Sequence, residues 1–364
     1  MKRFSVAILG LLVLGAALSW FLHFAPQRRE RAREEALELA RQGEFDKALR
    51  KLEGAGSDET TAAARARCLD ALDRDRAEAG AIWSRLQNST NPELRREALY
   101  RSGRHLALAG RPAEAEATLL KLLREDPEGP HSPSARYLLA EASRRQEKPG
   151  QAREEYKKSL EAGLTGPEAE AAREELGKIN LGLLLEGSEE YTDSYRVLSG
   201  DTLGSIAGRF HTTVELLRKI NDLSSDLLRL NQTLRIPSGD FSLVVSKQAN
   251  RLTLLLDGEF FAAFPVGTGR NNCSPEGVFE ITTKLVDPVW YSSEGEIPPG
   301  DPRNILGTRW LGFNDPYASY GIHGSTQPES IGTQSSSGCI RMNNRDAELL
   351  FILLPRGTRT TIVP

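Results

Sequence analysis

The sequence predicts a multidomain protein that combines an N-terminal membrane helix, an all-α repeat solenoid, a small β-α-α-β module and a mainly-β domain. Three observations support this prediction. The chain has 364 residues, more than the roughly 100 to 200 of one ordinary domain. Residues 26–187 carry apolar side chains at helical spacing, whereas residues 241–364 contain short apolar runs, with a hairpin turn predicted at Asp257-Gly258 and one helix predicted from Arg345 to Leu353. The first 25 residues form an almost unbroken apolar segment.

The apolar N-terminal segment bears on membrane attachment. Lys2 and Arg3 precede a run from Phe4 to Ala25, and about 20 apolar residues are enough to cross a bilayer as a helix. Residues 17–19 form a weak small-x-small cleavage signal. The length of the run favours an uncleaved transmembrane anchor over residues 1–25, with a cleaved signal peptide as the alternative.

Residues 26–187 are rich in Ala, Leu, Glu and Arg and contain a repeated glycine-to-alanine motif. Its alanines, Ala48, Ala81, Ala115 and Ala152, are 33, 34 and 37 residues apart. A helix-turn-helix unit with a period of about 34 residues resembles tetratricopeptide repeats, which stack into a curved solenoid. The resemblance implies a concave face that binds a protein partner. An irregular helical spacer is the alternative.

Residues 193–238 form the predicted β-α-α-β module, with a first strand from Tyr195 to Leu198. The strings "GDTL" and "IA" and the closing "LRIP" resemble the LysM domain, although Asn231 stands where that family usually has glycine. The resemblance implies binding of N-acetylglucosamine-containing glycans such as peptidoglycan, through the loops after the first strand and the second helix. The candidate contacts are Gly200, Asp201, Thr202, Leu203, Asn221 and Leu223. Asp201 and Thr202 are also plain helix-cap candidates.

The last part of the chain contains a candidate nucleophile and base. Cys339 follows His323 by sixteen positions, and His323 is the only histidine in the last third of the chain. A nearby imidazole can take the proton of a thiol, and the small residues 335–338 would let a substrate carbonyl approach. This pattern indicates acyl transfer. The alternative is that Cys339 is a small buried hydrophobic residue and His323 a turn histidine.

The strings "HG" and "SSGCIRM", preceded by "FPVGTGRNNCSPEGVFEI", resemble the YkuD-type catalytic domain of L,D-transpeptidases. The resemblance covers residues 241–364 and implies a mixed β-sandwich whose cysteine is acylated by a peptidoglycan stem peptide. By this resemblance Cys339 is the nucleophile and His323 the general base. The Gly324 carbonyl would orient the imidazole, while Gly338 and Cys339 would supply N–H groups to the oxyanion.

The resemblance also assigns other residues of the motif. Arg341 matches the family's arginine and would hold a substrate carboxylate or brace the loop. Ser336 matches the family's Ser or Thr, and Ser337 stands where many members have a second histidine, which implies a change in substrate fit. Cys273 has no motif around it. We interpret it as incidental or packing, with a disulfide to Cys339 left open.

Charge and motif content bear on partners and cofactors. A formal net charge of −3 without a long basic block gives no support to a nucleic-acid partner. No metal-ligand spacing or phosphate-binding glycine loop is present, so we expect no cofactor. The predicted function is peptidoglycan L,D-transpeptidation in the cell envelope, with the chain anchored in the cytoplasmic membrane and its bulk on the outer, periplasmic side. The alternatives are hydrolysis of the same thioester, as in an L,D-carboxypeptidase, and a non-catalytic peptidoglycan-binding scaffold.

Overall fold

The computed structural model describes residues 27–53, 55–56, 58–292 and 295–364. They divide into two compact units after Ala169. The predicted membrane helix of residues 1–25 lies outside the described residues. Among the residues that are described, no helix is both long enough and apolar enough to span a membrane.

The first unit is helical, as predicted for this region. Its helices are α1 (residues 27–41), α2 (Phe45–Leu52), α3 (Glu59–Ala71), α4 (Arg76–Leu86), α5 (Pro92–Leu108), α6 (Pro112–Glu125), α7 (Ser132–Arg145) and α8 (Pro149–Glu161), followed by α9 (Gly166–Leu185), which contains the division between the units. From α2 to α8, each helix packs on the next one along the chain. Such neighbour packing buries one face of each helix without long-range connections.

Local sequence explains where these helices begin. The side chain of Asn91 accepts hydrogen bonds from the N–H groups of Glu93 and Leu94, and Pro92 opens α5. Asp58 caps α3 in the same way. A side-chain acceptor satisfies N–H groups that have no partner inside the helix, and proline costs nothing in the first turn because its missing N–H would be unpaired there.

The helices do not repeat with a uniform period of about 34 residues. The fully buried alanines on the second helix of each pair are Ala48, Ala79, Ala115 and Ala152, which are 31, 36 and 37 residues apart. Ala81 is exposed, so its assignment to the repeat was wrong. The reason is the length of α3, which has 13 residues where α5 has 17. The shorter α3 therefore reduces the spacing along the chain between the buried residues Ala48 and Ala79.

The β-α-α-β module has the predicted order of elements. Its elements are β1 (Thr192–Arg196), α10 (Leu203–Arg209), α11 (Val214–Ile220) and β2 (Thr233–Pro237). The two strands pair antiparallel, with Tyr195 opposite Leu234. Val197, Ile206 and Leu217 belong to a small core of the module. Four short elements thus close around a few apolar side chains.

The C-terminal domain is mainly β, as predicted. Its elements are β3 (Phe241–Ser246), β4 (Arg251–Leu256), β5 (Glu259–Pro265), β6 (Thr268–Gly269), β7 (Gly277–Val286), β8 (Trp290–Ser292), β9 (Gly295–Ile297), β10 (Arg309–Phe313), β11 (Gly321–His323), β12 (Gln334–Ser336), β13 (Ile340–Arg341), α12 (Asn344–Leu353) and β14 (Arg359–Val363). Eight strands connect in the order β13-β11-β10-β7-β14-β3-β4-β5. The first half of β7 pairs with β14 and the second half with β10. This long strand therefore joins two groups of strands.

Turn chemistry in this domain follows the sequence closely. Asp257 and Gly258 both have positive φ, at 50° and 84°, as a two-residue hairpin between β4 and β5 requires. The predicted helix from Arg345 to Leu353 is α12, which begins one residue earlier.

The small module and the β domain share apolar contacts within the second unit. Leu216 and Ile220 of α11 belong to the same buried cluster as Leu350 of α12. The Thr213 hydroxyl also donates to the backbone carbonyl of Ile352. Burying two aliphatic side chains contributes about 3 to 6 kcal/mol. The module is therefore packed against α12.

Candidate active site

Strand pairing brings the two predicted catalytic side chains to one face of the sheet. The parallel pairs of β11 and β13 are Ile322 with Ile340 and His323 with Arg341. Extending this register by one residue places Cys339 opposite Gly321. Cys339 directly precedes β13, and its thiol contacts the backbone of Gly321. Side chains alternate along a strand, so a side chain at this point leaves from the same face as His323, two positions or about 6.6 Å away along the strand direction.

The imidazole of His323 is buried and oriented. Its exposed fraction is 2%, and its Nδ1 lies 2.5 Å from the carbonyl oxygen of Gly324. This acceptor assigns the proton to Nδ1 and leaves a lone pair on Nε2. The Trp310 ring stacks on the imidazole with centroids 5.8 Å apart. The imidazole is therefore held by the Gly324 carbonyl and covered on one face by the Trp310 ring.

Burial sets the charge state of this imidazole. It lowers the pKa of His323 to about 4, and the positive charge of Arg341 acts in the same direction. The hydrogen bond to the Gly324 carbonyl and a smaller effect of the Leu306 backbone oppose this lowering of the pKa. His323 is therefore neutral at pH 7 and able to accept a proton.

Asn344 braces the segment that follows His323, and sequence reasoning missed it. Its Oδ1, at the start of α12, accepts hydrogen bonds from the N–H groups of Ser325 at 3.1 Å and Thr308 at 3.2 Å. A Cβ on Gly324 would collide with the same oxygen. Only glycine fits between His323 and this brace. No pattern in the sequence pointed to Asn344, because its partners lie 36 and 19 residues away.

The loop before Cys339 is closed by the hydroxyl of Ser336. This hydroxyl donates to the Cys339 carbonyl at 2.7 Å and accepts from the Gly338 N–H at 3.0 Å. Gly338 has a φ of +127°, and a Cβ there would lie 2.5 Å from Cε1 of Tyr320. Ser337 is exposed beside them. Ser336 thus holds the loop and occupies one of the two N–H groups expected to face an oxyanion.

The N–H of Cys339 has no hydrogen-bond partner among the described residues. Its thiol is half-buried and donates to the Ser319 carbonyl at 3.9 Å. Burial raises the pKa of Cys339, although a backbone contact with Gly321 and the charge of Arg341 oppose the shift. Thiol and imidazole are therefore both neutral at pH 7, and the proton has to move during nucleophilic attack.

A second loop, residues 270–276, lies against the Cys339 loop. Gly269 pairs with Ser336 across β6 and β12, and the sulfur of Cys273 lies 4.0 Å from the Ser336 carbonyl oxygen. The buried amine of Lys247 contacts this loop through the carbonyl oxygens of Asn272 and Ser274 and the Glu276 carboxylate. Cys273 is exposed, and it and Cys339 are both free thiols. Cys273 is therefore a neighbour of the site and not a packing residue.

In the β-α-α-β module, the candidate residues of the first loop bond mainly within the module. Asp201 accepts hydrogen bonds from the Tyr195 hydroxyl at 2.7 Å and the Leu198 N–H at 2.8 Å. Thr202 forms a reciprocal capping box with Ser205, and Leu203 is 2% exposed. The Asp201 carboxylate thus closes the turn before α10, Thr202 caps α10, and Leu203 packs in the module core. Gly200 is exposed with a φ of +86°.

The second loop of the module is closed in a similar way. The Asn221 side chain donates to the Arg235 carbonyl at 2.8 Å and accepts from the Arg235 N–H at 2.7 Å. Leu223 is partly buried against the module core. The exposed apolar side chains are others, Leu227 at 86% and Leu230 at 64%. Sequence reasoning missed them, although four leucines in the polar loop of residues 221–232 were a usable signal.

Among the described residues, no group of three or more His, Cys, Asp or Glu side chains could hold a metal ion. The reactive groups identified at the candidate active site are the Cys339 thiol and the His323 imidazole. Around them lie N–H groups and the guanidinium of Arg341. This set can perform nucleophilic acyl transfer with proton relay.

Comparison with known proteins places this site in a family. The family model of the L,D-transpeptidase catalytic domain matches residues 240–362, and that of the LysM domain matches residues 195–237. The Bacillus subtilis protein YkuD, provisionally named an L,D-transpeptidase, is 33% identical over 175 residues, which cover 46% of this chain and 98% of YkuD. The chain belongs to the L,D-transpeptidase family.

Two further comparisons concern other L,D-transpeptidases. YqjB of Bacillus subtilis, also provisionally named, is 40% identical over 128 residues, covering 34% of this chain and 72% of YqjB. A solved L,D-transpeptidase from Mycobacterium smegmatis is 19% identical with a TM-score of 0.30, covering 37% of this chain and 64% of that one. This chain thus spans less than two thirds of that structure.

Proposed function

We propose that this L,D-transpeptidase uses Cys339 to cleave the last peptide bond of a tetrapeptide stem and joins the acyl group to an amine of another stem. The observation that supports this most directly is the placement of Cys339 and a neutral, oriented His323 on one face of paired strands. A buried imidazole with its Nδ1 proton engaged has its other nitrogen available as a base.

In the acylation step, the Cys339 sulfur attacks the carbonyl carbon that precedes the terminal D-alanine. His323 takes the thiol proton on Nε2 and gives it to the leaving nitrogen. The sulfur–carbon bond forms, the carbon–nitrogen bond breaks, and D-alanine leaves with a neutral amine. The low pKa of His323 makes its protonated form a strong acid, which favours the second transfer.

In the transfer step, an amine of a second stem attacks the thioester. The new amide bond forms as the sulfur–carbon bond breaks, and His323 carries the amine proton back to the sulfur. Water in place of the amine would give hydrolysis, the reaction of an L,D-carboxypeptidase. The two reactions differ only in the acceptor.

The negative charge that develops on the carbonyl oxygen needs N–H donors. The free N–H of Cys339 is one. The N–H of Gly338 becomes a second when it exchanges the Ser336 hydroxyl for the oxyanion. Preorganised donors of this kind contribute factors of about 10² to 10³ in rate. In this proposal Ser336 holds the loop, Arg341 contacts the substrate, and Ser337 lines the entrance.

The remaining parts would position the enzyme on its substrate. We assign glycan binding to the LysM module, and a protein partner to the tetratricopeptide-like helices. Residues 1–25 would anchor the chain in the cytoplasmic membrane, with the site in the cell envelope outside it. Because the LysM module packs on α12, a glycan strand held there would lie at a fixed distance from Cys339.

The test is the intact mass of the protein after incubation with disaccharide-tetrapeptide. We expect an adduct equal to the donor minus D-alanine in the wild type, and none in Cys339→Ala. His323→Ala should lower the adduct yield at least 100-fold, because the proton has no acceptor. Cys273→Ser is the matched control, since it removes a neighbouring thiol and should keep the adduct.

The products then separate transfer from hydrolysis. A cross-linked dimer of stems identifies an amine acceptor, and an uncross-linked disaccharide-tripeptide identifies water. A folded, reduced protein that sediments with peptidoglycan but forms no adduct would instead support the scaffold alternative.

A further inference from the structure

We propose that Arg270 and Arg341 together bind the terminal carboxylate of the acyl donor and thereby restrict Cys339 to the last peptide bond of the stem. The inference rests on the proposed acyl transfer, because it names the substrate group that would lie beside the thiol. Arg270, which sequence reasoning did not single out, is the new specificity-determining residue.

Arg341 has guanidinium N–H donors without close acceptors directly beside the nucleophile. It follows Cys339 by two positions and pairs with His323 across the strands, so its side chain leaves from the catalytic face. Its Nε is buried and has no hydrogen-bond partner. Its Nη1 has one long contact, 3.4 Å to Oε1 of Gln327. A buried guanidinium donor without an acceptor is costly unless a ligand supplies one.

Arg270 reaches the same site from the neighbouring loop. It directly follows Gly269, which pairs with Ser336 in the Cys339 loop. The buried amine of Lys247 fixes the same loop through the Asn272 carbonyl at 3.1 Å. Arg270 itself is exposed. The backbone that carries it is therefore held in place while its guanidinium is free to meet a ligand.

The two guanidinium groups lack acidic partners. Within the described chain neither Arg270 nor Arg341 forms an ion pair, whereas nearby Lys247 is paired with Glu276. Burial is the main cause that lowers the pKa of Arg341, Cys339 opposes this shift, and the positive charge of Arg270 adds a smaller lowering. Two like charges that act on each other without a counter-ion favour binding of an anion between them.

The acyl donor has an anion at the required place. In a stem that ends in D-alanine, only the leaving nitrogen and one Cα separate the attacked carbonyl carbon from the carboxylate. A carboxylate so close to the reacting carbon must lie near the thiol. Guanidinium groups bind carboxylates through paired, charge-assisted hydrogen bonds. A longer stem would place a neutral peptide group there and leave both arginines unpaired.

The experiment compares two donors on the full-length protein. One is disaccharide-tetrapeptide with a free D-alanine carboxylate, and the other is identical except for a terminal carboxamide. The rate of Cys339 acylation is followed by intact mass for the wild type, Arg270→Gln and Arg341→Gln. Loss of a charge-assisted contact corresponds to about 30-fold in kcat/KM. We expect that loss in Arg270→Gln with the acid donor, mainly in KM, and little change with the amide.

Controls separate recognition from folding. Arg359→Gln removes an exposed charge of the same domain and should change neither rate. Arg270→Lys should recover part of the preference for the acid donor because it restores the charge. Alkylation of Cys339 by neutral iodoacetamide should be the same in Arg270→Gln and wild type.

The outcomes distinguish this inference from the proposed function. Equal losses on both donors, or no loss on either, would overturn the carboxylate site and leave acyl transfer intact. A wild type that is acylated by neither donor would overturn the proposed function, and this inference with it.

Discussion

The loop before Cys339 and the loops of the LysM module carry similar small and polar residues but use them differently. In the LysM module, Asp201, Thr202 and Asn221 direct their hydrogen bonds to groups of the module itself. At the catalytic loop, Ser336 and Asn344 hold the backbone. Two donors near the thiol, the Cys339 N–H and the Arg341 Nε, have no hydrogen-bond partner in the part of the chain that the structure describes.

This difference separates residues that maintain a fold from residues that meet a ligand. A polar group with every hydrogen bond satisfied stabilises its loop. A donor left free in an otherwise satisfied loop, such as the Cys339 N–H or the Arg341 Nε, is available for substrate. The LysM residues expected to contact glycan belong mostly to the first group. The glycan contacts implied by the LysM resemblance stay a prediction, and we propose exposed side chains such as Leu227 as further contacts.

The largest contrast should come from adding a methyl group to a glycine in each loop. Gly338→Ala places a Cβ 2.5 Å from the Tyr320 ring and shifts the oxyanion donors, so we expect acylation to fall by at least about 100-fold. Gly200→Ala meets open space and should strain its loop by only about 1 kcal/mol. Acylation kinetics and thermal unfolding measure the two effects. Equal acylation rates in both variants would contradict the comparison.

The charge state of the catalytic pair can be tested by pH. Because burial raises the pKa of Cys339, little thiolate exists at pH 7, and the fraction grows as pH rises. The rate of Cys339 alkylation by iodoacetamide should therefore increase about tenfold per pH unit between pH 7 and 9. The measurement uses Cys273→Ser so that the exposed thiol does not react. A rate independent of pH from 6 upward would reveal a resting imidazolium–thiolate pair.

Removing a brace should separate activity from stability. Asn344→Ala frees the segment after His323 and should lower kcat for acylation about 30-fold, as loss of a supporting hydrogen-bond partner does elsewhere. Asn221→Ala removes the corresponding closure in the LysM module. It should lower unfolding stability by about 1 to 3 kcal/mol with acylation unchanged. If Asn344→Ala loses stability but not kcat, the brace has no role in catalysis.

The smallest expected effect concerns glycan binding. Leu227→Ser removes an apolar side chain that is 86% exposed and should weaken cosedimentation with peptidoglycan about fivefold, with unfolding unchanged. Thr202→Ala should do the reverse, costing about 1 kcal/mol of stability through the lost cap. If Thr202→Ala weakens binding more than Leu227→Ser does, our assignment of contacts is reversed.

Much of the second unit followed from sequence because its signals are local. The hairpin at Asp257 and Gly258, the helix α12 and the order of elements in the LysM module depend on turn chemistry and apolar spacing. By contrast, the repeat was assigned wrongly at Ala81, because the buried alanine of that helix is Ala79. Helix lengths vary between pairs, and the position of a buried alanine depends on the neighbouring helix as well as on the spacing along the chain.

Residue patterns alone predicted the helical, β-α-α-β and mainly-β regions that the structure describes, the family, and the candidate nucleophile and base. Tertiary contacts set which polar groups have hydrogen-bond partners. Strand pairing placed Arg341 opposite His323, and pairing of Gly269 with Ser336 brought the Arg270 loop to the site. Packing also engaged the N–H of Gly338 with Ser336 and docked the LysM module on α12. Hydrogen-bond partners and burial depend on residues that are distant along the chain, which is why motif spacing alone could not supply them.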